Sequence, residues 1–396
     1  MNEKEEVWPS SDEGRLIERG DGSHWQAEPS IPEEIVISEE SGEVRPPRKL
    51  PIYQPGHEDE YIRAVLLRIF DRGFLTMEEA RKAGLCIMWG NTKNTLTAGF
   101  LTALRGRGVT VDEIIGMASA IRQKSLKFKT SGDVLVDTGG TGRDGGNTFN
   151  ISIATAFVIG ACGVPVAKQV YKGIPGNGGS ADLLKELGIK LEISSELAMR
   201  CLEELGIVFL YTPLFHPSLK NLAQVRNELG FATVLDLLEP LCNPAEPNIQ
   251  LLGVYDPALT ENMAYALKEL GCKAGLVVYS MDGLDELSTT GKNIVTELKD
   301  GKIKTYVLDP ETLGFSTCSP GDLKGGDAEK NAEIVREILG GKNGPQRDVI
   351  LLNSAAALYI AGASSDIKQG IEMAADTIDN GTALLLIDAL AEFSHL

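Results

Sequence analysis

From residue 134 the chain reads Val-Leu-Val-Asp-Thr-Gly-Gly-Thr-Gly-Arg-Asp-Gly-Gly-Asn-Thr-Phe-Asn-Ile-Ser, and no other stretch restricts the fold so tightly. The apolar run 134–136 reads as a strand, residues 139–150 as a loop with five glycines, and the segment opening with Ser152 as a helix. A strand, a glycine loop and a helix N-terminus together make an anion trap. Without Cβ atoms the backbone N–H groups of Gly140 and Gly142 can approach an oxyanion, and the helix dipole favours its charge. Thr141, Thr148, Asn150 and Ser152 add side-chain donors. Glycines at a strand–helix turn also serve tight packing alone, but the hydroxyls and the Asn at the helix start favour a phosphate. No Gly-Lys-Ser/Thr follows, so this is not a Walker loop.

The surrounding pattern extends the α/β reading. Short apolar runs at 134–136, 164–167, 208–211, 251–255, 276–279 and 305–308 alternate with helix-like segments, which predicts a mostly parallel central sheet. Ahead of them, residues 58–128 read as a small all-helical domain. Tyr61, Ala64, Val65, Ile69 and Phe70 fall at helical spacing. Thr76 with Glu79 forms a capping box, and helices are expected near 95–105 and 111–123, led by Asn94 and Thr110. Residues 129–396 form the large α/β domain, with a hinge segment near 217–240. Residues 1–60 hold 16 Asp plus Glu against 6 Lys plus Arg, and seven prolines. Residues 1–57 therefore read as an acidic, irregular extension able to bury little apolar area. It is either a solvated tail or an arm for a partner.

Composition excludes some functions. A formal charge of −18 argues against wrapping nucleic acid, which takes Lys and Arg to neutralise phosphates. The longest uncharged stretch, 145–167, contains Asn147, Asn150 and Pro165 and does not read as a membrane span. The six cysteines show no CxxC pair and read as free thiols of a reducing cytoplasm.

The glycine loop and its Thr-Phe-Asn-Ile-Ser continuation resemble the signature of the anthranilate phosphoribosyltransferase family. The resemblance continues through Val166-Ala167-Lys168, Gly179-Ser180-Ala181-Asp182, Thr212-Pro213-Leu214-Phe215-His216-Pro217 and Val225-Arg226-Asn227-Glu228-Leu229-Gly230. It goes on through Asn243-Pro244-Ala245 and Asp282-Gly283-Leu284-Asp285-Glu286, and closes with Gly325-Gly326-Asp327 and Asn331-Ala332. It spans roughly residues 58–392. It implies a helical domain hinged to an α/β domain, a homodimer, and phosphoribosyl diphosphate with Mg²⁺ in the cleft between the domains. Gly140, Thr141, Gly142, Arg143, Asp144, Thr148, Asn150, Ser152, Lys168 and Lys172 would then hold the donor. Lys168 would stabilise the departing diphosphate, and Asp144 is carried over as a donor-side contact near the chemistry. Asp285 and Glu286, just beyond the strand at 276–279, are adjacent hard carboxylates suited to Mg²⁺ shared with phosphate oxygens, with Ser152 as a further ligand. Read without the family, that Asp-Glu pair could equally be a solvated acidic turn.

The departures from the family cluster on the acceptor side. Arg143 replaces a glycine of the first motif. After Lys168, the usual His-Gly-Asn-Arg is Gln169-Val170-Tyr171-Lys172, so Tyr171 stands where an acceptor-binding Asn is expected. Glu239 replaces a Gly that lines the acceptor tunnel. It would narrow the tunnel and repel an anionic carboxylate, or pair with Arg226, the acceptor-binding arginine. The reading is a phosphoribosyltransferase acting on a small nitrogen-containing acceptor other than anthranilate. The alternatives are a true anthranilate phosphoribosyltransferase, a pyrimidine-nucleoside-phosphorylase-like enzyme and a non-catalytic binding paralogue. His216 is either structural or part of the tunnel.

Overall fold

The computed structural model describes residues 48–396, except Ser131, 143–147 and 172–178, together with strands β1 (Val36–Ile37) and β2 (Val44–Arg45). That two-residue antiparallel pair is the regular structure described within the acidic extension. Four helices follow: α1 (Glu58–Phe70), α2 (Met77–Met88), α3 (Asn94–Arg107) and α4 (Val111–Lys124). The capping box at Thr76 and Glu79 forms as its spacing predicts, and Thr110 with Glu113 makes a second. Asn94 is the first helical residue of α3, one place beyond the cap at Lys93.

The α/β part alternates β3 (Val136–Gly140), α5 (Ile151–Ala161), β4 (Val166–Val170), α6 (Ser180–Glu186), α7 (Ser195–Leu205) and β5 (Ile207–Tyr211). Short helices α8 (Thr212–Phe215), α9 (Lys220–Leu229) and α10 (Val234–Leu238) lead to β6 (Ile249–Gly253), α11 (Leu259–Glu269) and β7 (Ala274–Ser280). An antiparallel pair, β8 (Asn293–Lys299) and β9 (Lys302–Leu308), completes the sheet. Helices α12 (Ala328–Leu339), α13 (Pro345–Ile360), α14 (Ile367–Asp379) and α15 (Thr382–Phe393) end the chain.

The seven strands lie in the order β5-β4-β3-β6-β7-β8-β9, parallel from β5 to β7 and antiparallel beyond. This is the mostly parallel sheet expected. Strand β8 was not expected, because charged and polar residues interrupt its apolar run. It is an antiparallel strand near the sheet edge, where Ile294, Glu297 and Lys299 are only partly buried. From β3 the chain crosses to β4 on one side and later lays β6 on the other. Ligands of open α/β sheets sit beyond the strand ends at such a reversal. The strand β3 begins two residues later than its apolar run and continues through Gly139 and Gly140, so the sheet itself carries the start of the glycine loop.

Helix α5 is apolar on all sides and nearly every residue is buried, with α13 and α15 packed over it. Full burial of each of Phe157, Ile153 and Ile159 stabilises the fold by roughly 1.5–3 kcal/mol. A second apolar core joins α1–α4 to Leu222, Val225, Val234, Leu238, Met263 and Leu267. Arg122 of α4 ties the two parts by donating to Leu241 O at 2.6 Å and Leu270 O at 2.9 Å. Among the described residues no helix is long and apolar enough to cross a membrane, and all six cysteines are free.

Candidate active site

At the β3/β6 reversal the strand ends open into a cavity of about 310 Å³. Gly140, Gly142, Thr148, Asn150, Ser152, Lys168, Tyr171, Asp285 and Glu286 line it together, although they come from three separate stretches of chain. Gly140 and Gly253 face each other in the β3–β6 register, and the loop after β7 crosses over them. A Cβ on Gly140 would lie 2.2 Å from Asp285 Oδ2, and one on Gly253 would lie 1.4 Å from the Asp285 carbonyl oxygen. The two glycines thus make the slot that seats Asp285. Its carboxylate accepts from the backbone amide of Gly142 at 2.6 Å, which joins the glycine loop directly to the acidic loop.

The acidic loop is clamped from behind. Asn353 of α13 both accepts from Leu287 N at 3.1 Å and donates to Leu287 O at 2.7 Å, while Asn293 accepts from Ser288 N at 2.9 Å. Asp282 accepts from the hydroxyls of Ser288 and Thr290. Two carboxylates and the Ser152 hydroxyl therefore share one cavity, and among the described residues no set of three or more His, Cys, Asp or Glu is placed to hold a metal. That donor set falls short of an all-protein calcium or zinc cage. It fits Mg²⁺, which takes one or two carboxylates and completes its shell with phosphate oxygens and water.

Lys168 is almost fully buried in β4, and its ammonium donates to the Thr138 carbonyl of the neighbouring strand. Burial pushes its pKa down, against the opposing pull of Asp137, Glu286 and Asp285. Asp137 is buried beside it and accepts from Asn243 Nδ2 at 2.8 Å. Burial raises the Asp137 pKa to about 6, with Lys168 the largest influence in the other direction. Neither Asp137 nor Asn243 stood out as a site residue in the sequence. The available signal was a carboxylate inside an apolar strand two residues before the glycines. Thr141 does not line the cavity. Its hydroxyl accepts from Tyr255 N at 3.1 Å, so its side chain ties β3 to the segment after β6. Arg143, Asp144 and Lys172 lie outside the described residues.

The three residues expected at the acceptor also come together. Tyr171 donates to the Glu239 carbonyl at 2.9 Å. Arg226 ion-pairs with the Glu239 carboxylate through one guanidinium nitrogen and with Asp236 Oδ1 at 3.3 Å through another. With Ile121, Leu219, Leu222, Leu235 and Cys242 they enclose about 20 Å³, room for little more than one water. His216 is completely buried at the end of α8 and lines neither cavity; burial, partly offset by the backbone at Cys242, lowers its pKa to about 4.

Known proteins bear on this geometry. Residues 132–384 match the a/b domain of the glycosyl transferase family, and residues 63–125 match its helical bundle domain. The anthranilate phosphoribosyltransferase of Acetivibrio thermocellus is 43% identical over 334 residues, covering 84% of this chain and 97% of that one. This chain belongs to the anthranilate phosphoribosyltransferase family. The family consists of pentosyltransferases, and the helical and α/β parts described above are its two domains. Among solved family members, the Thermus thermophilus enzyme superposes with a TM-score of 0.79 at 38% identity, over 85% of this chain and 99% of that one. The Saccharomyces cerevisiae enzyme, solved in complex with phosphoribosyl diphosphate and Mg, superposes with a TM-score of 0.77 at 27% identity, over 86% and 99%.

Proposed function

We propose that this chain transfers the phosphoribosyl group of Mg²⁺-bound phosphoribosyl diphosphate to the nitrogen of a small acceptor other than anthranilate, as a homodimer in the cytoplasm. The lone pair of the acceptor nitrogen forms a bond to the anomeric carbon, the bond from that carbon to the diphosphate oxygen breaks, and the nitrogen then loses a proton. Asp285, Glu286 and Ser152 would hold Mg²⁺, which when bound would neutralise charge on the diphosphate. Around it, the Gly140 amide with Thr148 and Asn150 binds and orients the phosphates, while the Gly142 amide holds the Asp285 carboxylate in place. The Lys168 ammonium adds positive charge where the leaving group gains negative charge, and Asp137 holds it at that wall of the cavity.

The observation that carries the altered acceptor is the pairing of Arg226 with Glu239 and Asp236 inside an acceptor cavity of about 20 Å³. An arginine already neutralised by two carboxylates gives no reward to an anionic acceptor. A neutral or cationic amine suits Glu239 better. The second reading, anthranilate itself, is supported by the names of relatives that match most of this chain. Thermal-shift titration with phosphoribosyl diphosphate and Mg²⁺ tests the donor, and no stabilisation at millimolar concentration counts against it. Efficient turnover of anthranilate by the unmodified chain overturns the altered acceptor and supports the second reading. Leu67 and Phe70, exposed one turn apart on α1, are candidates for the dimer contact, and light scattering on the purified chain tests the assembly.

A further inference from the structure

The block Gly325-Gly326-Asp327 with Asn331 takes no part in the chemistry above, yet the fold drives it against the glycine loop. Asp327 caps α12 by accepting from Lys330 N at 2.9 Å. One turn along, the nearly fully buried Asn331 reaches back, its Oδ1 accepting from the backbone N–H of Gly326 at 2.8 Å. Its Nδ2 donates to Asn150 Oδ1 at 3.1 Å. Gly325 makes the approach possible, because a Cβ there would stand 2.6 Å from Asn331 Oδ1 and 2.7 Å from Phe149 N. Beside it, Thr148 bridges to Lys324, and Phe149 N donates to Leu323 O at 3.3 Å.

This chain of bonds has a fixed direction. A backbone N–H can only donate, so Gly326 commits the oxygen of Asn331. The nitrogen of Asn331 must then face Asn150, and it commits the oxygen of Asn150 in turn. We propose that Asn331 is a positioning residue that sets the polarity of the Asn150 amide, so that nitrogen rather than oxygen is turned to the phosphate cavity that Asn150 lines. An oxyanion there meets N–H in place of a repelling carbonyl oxygen. The inference rests on the phosphoribosyl diphosphate reading. It also gives a motif about 180 residues downstream of the glycine loop a role at the phosphate site.

Asn331→Asp tests it. That change keeps the shape and the bond from Gly326 but sets a second acceptor against Asn150, which relieves the clash by turning its own oxygen toward the cavity. Asn331→Leu breaks the link without imposing the reversed amide. Both lose a buried contact, so a purely structural role moves the two together. Calorimetric titration of the full chain with phosphoribosyl diphosphate and Mg²⁺ should show Asn331→Asp weakening binding roughly tenfold to a hundredfold, with Asn331→Leu weakening it less. In an Asn150→Ala background, Asn331→Asp should add less than about twofold. Binding by Asn331→Asp equal to the unmodified chain overturns the proposal, as does a loss that persists undiminished in the Asn150→Ala background. If Asn331→Asp does not fold, the Asn331→Leu and Asn150→Ala pair carries the same cycle, and additive losses overturn it. An unmodified chain that binds no phosphoribosyl diphosphate removes the donor reading and this inference with it.

Discussion

Replacing Glu239 by glycine removes the carboxylate that pairs with Arg226 and also the side chain that helps close the acceptor cavity. The Arg226 and Glu239 side chains are 28% and 17% exposed, so water screens their pairing only in part. A hydrogen bond between charged groups contributes about 1.5–3 kcal/mol net, which an anionic acceptor must displace before it can use Arg226. Glu239→Gly should therefore raise kcat/KM for anthranilate roughly tenfold to a hundredfold, chiefly through KM. Glu239→Gln, which keeps the bulk and removes the charge, should recover part of the gain. Arg226 retains Asp236 as a partner, so the loss of folding stability should stay within about 3 kcal/mol. The assay follows the fluorescence of anthranilate as it is consumed with phosphoribosyl diphosphate and Mg²⁺. A kcat/KM that is unchanged or lower in Glu239→Gly, with the fold intact by circular dichroism, refutes the reasoning.

Other changes test the site from different sides. Gly253→Ala puts a methyl where the Asp285 carbonyl stands, so it should cost roughly 3 kcal/mol or more and abolish stabilisation by phosphoribosyl diphosphate in thermal shift. Gly106→Ala, in helix α3 with open space around it, should instead stabilise by about 0.5–1 kcal/mol in denaturant titration. Lys168→Met should lower kcat about a hundredfold or more in steady-state assays, with a smaller effect on donor affinity. His216, whose folded pKa lies below its unfolded value, contributes stability that is present above about pH 6.5 and lost as pH falls toward about 4. Melting temperatures of His216→Phe should therefore fall less than those of the unmodified chain across that window.

The glycine loop was legible because strand, glycines and helix start are contiguous, so local chemistry announced a phosphate site. The capping box at Thr76 and the helix start at Thr110 were legible for the same reason. Asp285 and Glu286 could be placed at a strand end, but nothing in the sequence shows that Gly140 and Gly253 are the space they occupy. That is a through-space relation between three stretches of chain. Asn353 went unnoticed, and Asn331 stood in a motif without a role, because each acts across a fold contact. Strand β8 was missed because a strand next to the sheet edge, partly buried, tolerates the polar residues that hid its apolar pattern. The pairing of Arg226 with Glu239 was accessible as a possibility from charge alone, whereas the near closure of the cavity around it depends on packing by Leu219, Leu222 and Leu235.

The shared core beneath the helical domain has a consequence for how the chain is made. Helices α1–α4 leave the ribosome before the α/β part, but their apolar faces are completed by Leu222, Val234, Leu238, Met263 and Leu267. Well over half the chain must be synthesised before that core can close. At the usual rate of elongation, the early helices wait roughly ten seconds or so with apolar surface uncovered. The natural cleavage point for fragments is then a poor one: residues 58–128 expressed alone should stay incompletely packed, and should gain protection from proteolysis when residues 129–396 are supplied in trans.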